Sequence, residues 1–250
     1  MYSVRKNSKM LTDSPLCNML PILPCLVLRG VLVAQAARRA SGSPHTSAGH
    51  MFSASRLTAA YACAYNIGEV SALFDRKSIE QQLAQLPLYQ YAWINTGELV
   101  FTERVRAICE SECPMYGKTW ACPPAVGTVE SCRARCLAYP HALVVTTVTE
   151  VADIANIDET LATRAPHEAV TREAAAIVAA QAADIMVLST EACAICEHCS
   201  YPDAPCRHPD KMYPCVESHG ILATNLAEKH GIDFFGGNIV TWFSLIFYRD

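Results

Sequence analysis

The chain has 250 residues, 51% of them apolar and 18% charged, enough for one large domain or two small ones with real cores. Its formal charge of −4 is unevenly spread: residues 1–50 hold six Lys/Arg against one acidic residue, and residues 51–250 hold fourteen against twenty-three. An acidic body excludes broad nucleic-acid binding, because neutralising phosphates requires a basic face.

Residues 1–50 read differently from the rest. Arg5, Lys6 and Lys9 precede an apolar stretch from Leu16 to Leu28, in the manner of a signal peptide, with Ala34-Gln35-Ala36 as a cleavage-like site. Pro21, Pro24 and Arg29 interrupt that stretch, which falls short of the roughly 20 apolar residues of a membrane span. The run from Ser41 to Gly49 is a flexible linker by composition. A disordered extension, or a true start at Met51, is the favoured reading over export. Residues 51–87 form a helical lead-in, with a helix over Ser78–Leu86 capped by Ser78 and stopped by Pro87. Tyr89–Asn95 and Leu99–Thr102 alternate as strands around Thr96-Gly97, which predicts a hairpin.

Thirteen cysteines are the strongest signal, and ten of them lie between Cys109 and Cys215. Disulfide frameworks belong to smaller secreted chains, whereas closely spaced thiols converge on one point. Metal binding in a reducing, cytoplasmic compartment is therefore expected. Cys109 and Cys113 sit four apart, on one face if helical, and Cys122-Pro123-Pro124 follows. A proline directly after a ligating cysteine is a ferredoxin-type feature. Thr128–Tyr139 predicts a helix capped by Thr128 and ended by Pro140; it places Cys132 and Cys136 on one face, as further ligands or as packed thiols.

Ala142–Thr149 reads as a buried strand, Asp153–Thr163 as irregular, His167–Ala183 as a helix and Ile185–Leu188 as a second buried strand. Together they predict a parallel, right-handed crossover. It delivers the chain to Cys193, Cys196, Cys199 and Cys206, three close thiols and a fourth on a longer reach. Glu217–His230 predicts a helix closed by Gly231, with strands at Ile232–Phe235 and Ile239–Tyr248. His141, His208 and His219 are potential ligands but read more simply as hydrogen-bonded structural residues. The fold class expected is α/β, with mixed α+β as the alternative. It is a single domain over residues 88–250, with a central mixed sheet, helices packed on it and two cysteine-rich metal-binding loops.

Several of these motifs occur together in one known family. Val105-Arg106 with Cys109, Cys113, Tyr116-Gly117 and Trp120-Ala121-Cys122-Pro123-Pro124 form the first group. Cys193, Cys196, Cys199 and Cys206-Arg207-His208-Pro209 form the second, and Glu217 before Gly220-Ile221 the third. From about Leu88 to the C-terminus the chain resembles the predicted metal-binding protein family, domain of unknown function 2284. The resemblance implies a cysteine-rich metal or iron–sulfur protein of bacteria and archaea with no assigned role. Cys215 stands where that family carries serine, so it is set aside as a local variant.

Zinc takes four N/S ligands in a tetrahedron, and Cys109/Cys113 with Cys196/Cys199 would form one such site, leaving Cys122, Cys193 and Cys206 without a role. A [4Fe–4S] cluster uses three close cysteines and a remote fourth, which accounts for the triplet. Two partitions stay open. Cys193, Cys196, Cys199 and Cys206 form one set, or Cys122 completes the triplet while Cys206 joins Cys109 and Cys113. The function expected is electron transfer or redox support through one or two [4Fe–4S] clusters, with a basic redox protein as partner. The alternative is a structural zinc or metal-handling module. No nucleotide loop, catalytic triad or paired-carboxylate signature is visible in the sequence.

Overall fold

A computed structural model gives the fold and describes residues 5, 6 and 74–250. The expectations for the N-terminal extension, its linker and the start of the lead-in otherwise lie outside the described residues. Five strands form one sheet: β1 (Arg5–Lys6), β2 (Gln90–Asn95), β3 (His141–Glu150), β4 (Asp184–Leu188) and β5 (Ile239–Arg249), in the order β1-β2-β3-β5-β4. Every pairing is antiparallel. The helices are α1 (Arg76–Leu83), α2 (Glu103–Ser111), α3 (Val129–Leu137), α4 (Ile157–Ala162), α5 (Arg164–Ala179) and α6 (Ala223–His230). The domain is mixed α+β.

The sheet is buried on both faces, so its central strands read as continuous apolar runs rather than as alternation. On one face Tyr91, Trp93, Leu143, Val145, Ile246 and Tyr248 pack with Ile79 and Leu83 of α1 and with Val170, Ala174 and Val178 of α5. On the other face Ile94, Val144, Leu245 and Phe247 pack with Val216, Ile221, Leu226 and Ala227. Each large side chain taken fully out of water here contributes about 1.5–3 kcal/mol.

The structure revises several local expectations. β3 and β4 run in the same direction, as the crossover required, but β5 inserts between them and pairs with both. β5 is buried from Trp242 to Tyr248, so it takes the site with a partner strand on each edge. The hairpin after β2 does not form. Residues Thr96–Glu98 make a 3-10 turn instead, because the Glu98 carboxylate accepts from the Asn95 amide at 3.2 Å and meets Lys229 and His230 of α6 at 2.9 and 3.1 Å. The chain then leaves the sheet, and Phe101 pairs with Ile221.

Asp75, not Ser78, caps α1, its carboxylate accepting from the amides of Lys77 and Ser78. α5 begins at Arg164, ahead of the predicted start, because Pro166 falls in the first turn where its missing donor costs nothing. The segment expected to be helical from Glu217 to His230 breaks at Gly220. Its φ of 74° is left-handed, and its carbonyl accepts from the Thr102 amide at 2.8 Å. Residues 232–235 form no strand, and the Asp233 amide donates to the Gln90 side chain at 2.8 Å. α3 forms as predicted, with Thr128 accepting from the Ser131 amide.

Candidate metal centre

The cysteine-bearing segments gather at the C-terminal end of β4. Beyond Leu188, the Ser189 amide donates to the Pro214 carbonyl and the Val216 amide to the Ser189 carbonyl, both at 2.9 Å. This two-residue parallel pairing fixes Cys215 beside the end of the strand. The following residues, Thr190 to Ala192, line one cavity, and Cys193 begins the wall of a second, smaller hollow.

The smaller hollow is lined by Cys193, Cys196, Cys199 and Cys206 together with Trp120 and His208. Its volume is about 20 Å³. The loop that carries Cys206 back to the triplet is held by its own polar groups. Ser200 Oγ donates to the Pro205 carbonyl at 2.7 Å, the Ala204 amide to the Ser200 carbonyl at 2.9 Å, and Arg207 to the His198 carbonyl at 3.0 Å. Trp120 covers it from the first cysteine group, its indole N–H donating to the Ala204 carbonyl at 3.0 Å and its ring meeting Tyr201 edge-on at 5.0 Å.

The larger cavity, about 530 Å³, is lined by Cys109, Cys113, Cys122 and Cys215. α2 supplies Cys109 from its last turn and ends at Ser111, so Cys113 lies just past the helix rather than on its face. Arg106, buried on α2, donates to the Gly127 carbonyl at 2.8 Å and to the Ser218 carbonyl, which ties the helix to both neighbouring loops. The loop bearing Cys122 folds back on itself, with the Gly117 amide donating to the Pro123 carbonyl at 2.8 Å. The break at Gly220 completes the wall by turning Glu217 into the cavity.

The electrostatics of the cavity are those of a dithiol pair in a partly dry setting. The Cys215 thiol donates to the Cys122 sulfur, which brings the Cys122 thiol down to about 7 and pushes Cys215 well above the ordinary thiol range. The two titrate as a pair. The Ser218 amide also donates to the Cys215 sulfur at 3.1 Å. Burial raises Cys109 and Cys193. Glu217 has a large accessible surface, part of which is cavity wall. Burial, with Glu191 nearby, raises its carboxyl above the usual range.

The geometry thus groups the seven cysteines read from the sequence as Cys193, Cys196, Cys199 and Cys206 around one hollow, and Cys109, Cys113 and Cys122 around the other. The exchanged arrangement, with Cys122 beside the triplet and Cys206 beside Cys109, is not the one observed. Cys109/Cys113 and Cys196/Cys199 likewise line different hollows. Cys132 and Cys136 are fully buried on α3, away from both, and Cys136 is raised to about 12 by burial. All ten described cysteines are free of disulfides. His219 is buried against the Cys215 carbonyl and Ser218, and burial lowers it to about 4.

The residue that sequence reasoning set aside is Cys215. Its only local signal is the preceding Pro214; what brings it to the cavity is the pairing with Ser189, invisible in one dimension.

A family model described as Predicted metal-binding protein (DUF2284) matches residues 92–248. The chain belongs to this family. The matched span covers the sheet from β2 to β5 and both cysteine-lined hollows. No curated protein and no solved structure matches the chain significantly.

The donor sets fit soft metal chemistry, since four thiols line each hollow. Among the described residues, no three His, Cys, Asp or Glu side chains converge closely enough to hold a single ion.

Proposed function

We propose that this metal-binding domain holds two [4Fe–4S] clusters and serves as an electron carrier or redox accessory protein. Cys193, Cys196, Cys199 and Cys206 would hold the first. Cys109, Cys113 and Cys122 would hold the second, with Cys215 as fourth ligand. The observation that carries the reading is the division of eight cysteines into two sets of four around adjoining hollows. Three close cysteines with a fourth on a longer reach match the ligand pattern of a [4Fe–4S] cluster, which supports clusters over single ions.

The two sites adjoin through two separate segments. Ala192 and Cys193 are consecutive, with Cα atoms about 3.8 Å apart, and they line different hollows. Trp120 and Cys122, two residues apart, do the same. Centres held this way exchange electrons without a long gap between them, which favours a redox role over a structural one. When bound, the clusters supply one-electron chemistry; the chain's part is to hold the thiolates, shield them with Trp120 and Tyr201, and set the local charge. The acidic body over residues 51–250 favours docking to a basic redox partner, with electron exchange that weakens as salt rises. The setting proposed is a reducing, cytoplasmic one, which suits the ten described cysteines, all free of disulfides.

Anaerobic purification with iron, sulfide and zinc analysis tests the reading. The expected result is about eight iron atoms per chain and a broad absorbance band near about 400 nm that bleaches on reduction. Stoichiometric zinc with no such band after reconstitution would sink it.

A further inference from the structure

The cavity lined by the second cysteine set is larger than a metal centre needs. At about 530 Å³ it falls within the roughly 300–1,000 Å³ range of small-molecule sites. Beyond the cysteines its wall is largely apolar and aromatic, with Val105, Ile108, Ile221, Leu222, Phe234 and Phe243 contributing. Two carboxylates, Glu191 and Glu217, are the charged groups on it, and none of the described lining residues is Lys, Arg or His. Glu191 is held with φ of 57°, and among the described residues no other non-glycine has a positive φ. A bulky residue kept in that conformation marks a place where the surroundings fix a side chain at some cost, as functional sites do.

From this lining we infer that the cavity binds a compact, predominantly aromatic or aliphatic molecule bearing one amine or other cationic group. The inference deepens the proposed function, on which it rests for placing that molecule against the second metal centre. An anion entering the cavity meets four cysteines and two carboxylates and finds no compensating cation, so its desolvation goes unrepaid. A cation finds Glu217 and Glu191 for its charge and the aromatic wall residues Tyr116 and Phe243 for its apolar body and ammonium group. Phosphates, nucleotides and carboxylates are therefore excluded as ligands.

The test uses the full-length reconstituted protein, and the apo protein in parallel, titrated with 2-phenylethylamine and 3-phenylpropionate by calorimetry. Iron content is measured on every sample. The amine is expected to bind with a dissociation constant of about 1 mM or tighter, and the carboxylate about tenfold more weakly or not at all. Glu217→Gln is expected to weaken the amine about tenfold. Thr224→Trp, a substitution at an exposed position on the cavity rim in the first turn of α6, is expected to abolish binding while iron content and far-UV circular dichroism stay unchanged. Equal affinity for amine and carboxylate, no binding of the amine at about 10 mM, or full binding in Thr224→Trp overturns the inference. If Glu217→Gln loses iron, Glu191→Gln takes its place, with the same loss of amine affinity expected. Iron that loads without amine binding removes the cavity proposal alone; amine binding without iron removes the cluster proposal alone.

Discussion

Gly220 is the position where backbone geometry and the candidate site meet, and replacing it by alanine gives a cost that can be worked out. Its φ of 74° is left-handed, so any L side chain there costs about 1–2 kcal/mol before it touches anything. A Cβ at Gly220 would also lie 2.9 and 3.1 Å from the two Val129 methyls and 3.1 Å from the Thr102 carbonyl oxygen. Val129 is buried at the start of α3 and Thr102 caps α2, so neither yields freely, and relieving the overlap costs about 1–3 kcal/mol more. Gly220→Ala is thus expected to lose about 2–5 kcal/mol. Gly231 supplies the control. It has nearly the same φ, 63°, but nothing within 4 Å of an added Cβ, so Gly231→Ala carries the conformational cost alone, about 1–2 kcal/mol. Urea unfolding of both variants, followed by circular dichroism under anaerobic conditions, measures the difference. Equal losses would refute the reasoning, because the clash at Val129 would then be absorbed for nothing.

Three further outcomes follow from buried polar groups and thiols. His167 is buried between α5 and the sheet, its ring nitrogens bonded to Thr147 at 2.9 Å and Ser244 at 2.8 Å, and burial lowers it from 6.5 to about 4. The folded state keeps this imidazole neutral while the unfolded chain takes up a proton near pH 6.5, so stability is intact above that pH and falls as pH drops toward 4, by up to about 3 kcal/mol. In His167→Gln, the acid-side slope of stability against pH between 6 and 4.5 should flatten by about 1.4 kcal/mol per unit; an unchanged slope contradicts the assignment. Arg106→Ala should cost about 3 kcal/mol in urea unfolding, because it strands the buried Ser218 carbonyl and the half-buried Gly127 carbonyl, and a loss under about 0.5 kcal/mol would contradict that role. Cys132→Ala should leave iron content unchanged although its thiol is fully buried, since α3 points it into the protein and away from both hollows; loss of iron there would show a ligand set different from the one proposed.

Much of the fold is legible in the chain because it is written in local terms. β3 and β5 are long apolar runs, and α3 is bounded by Thr128 and Pro140. Cys193, Cys196 and Cys199, closely spaced in the chain, line one hollow. What was not legible depends on partners far away in sequence. The predicted hairpin fails because Glu98 is taken by Lys229 and His230, more than a hundred residues later. The helix from Glu217 breaks because Gly220 must lie against Val129 and Thr102. A helical pattern in residues 217–230 cannot show that neighbour. Cys215 was set aside because it stands where the family carries serine; its pairing with Ser189, which brings it to the cavity beside Cys122, is not visible in the chain. The parallel crossover was read correctly in direction, but nothing local to Ala142–Leu188 shows that a strand near the C-terminus will lie between its two ends.

The central claim is that eight cysteines form two separate sets of four. Iron and sulfide per chain, measured after anaerobic reconstitution of the wild type, Cys196→Ala, Cys113→Ala and the variant carrying both substitutions, test it most directly. The account predicts about eight iron atoms in the wild type, about four in each single variant and close to none in the double variant. All iron lost in either single variant, or a full complement retained in both, would contradict it.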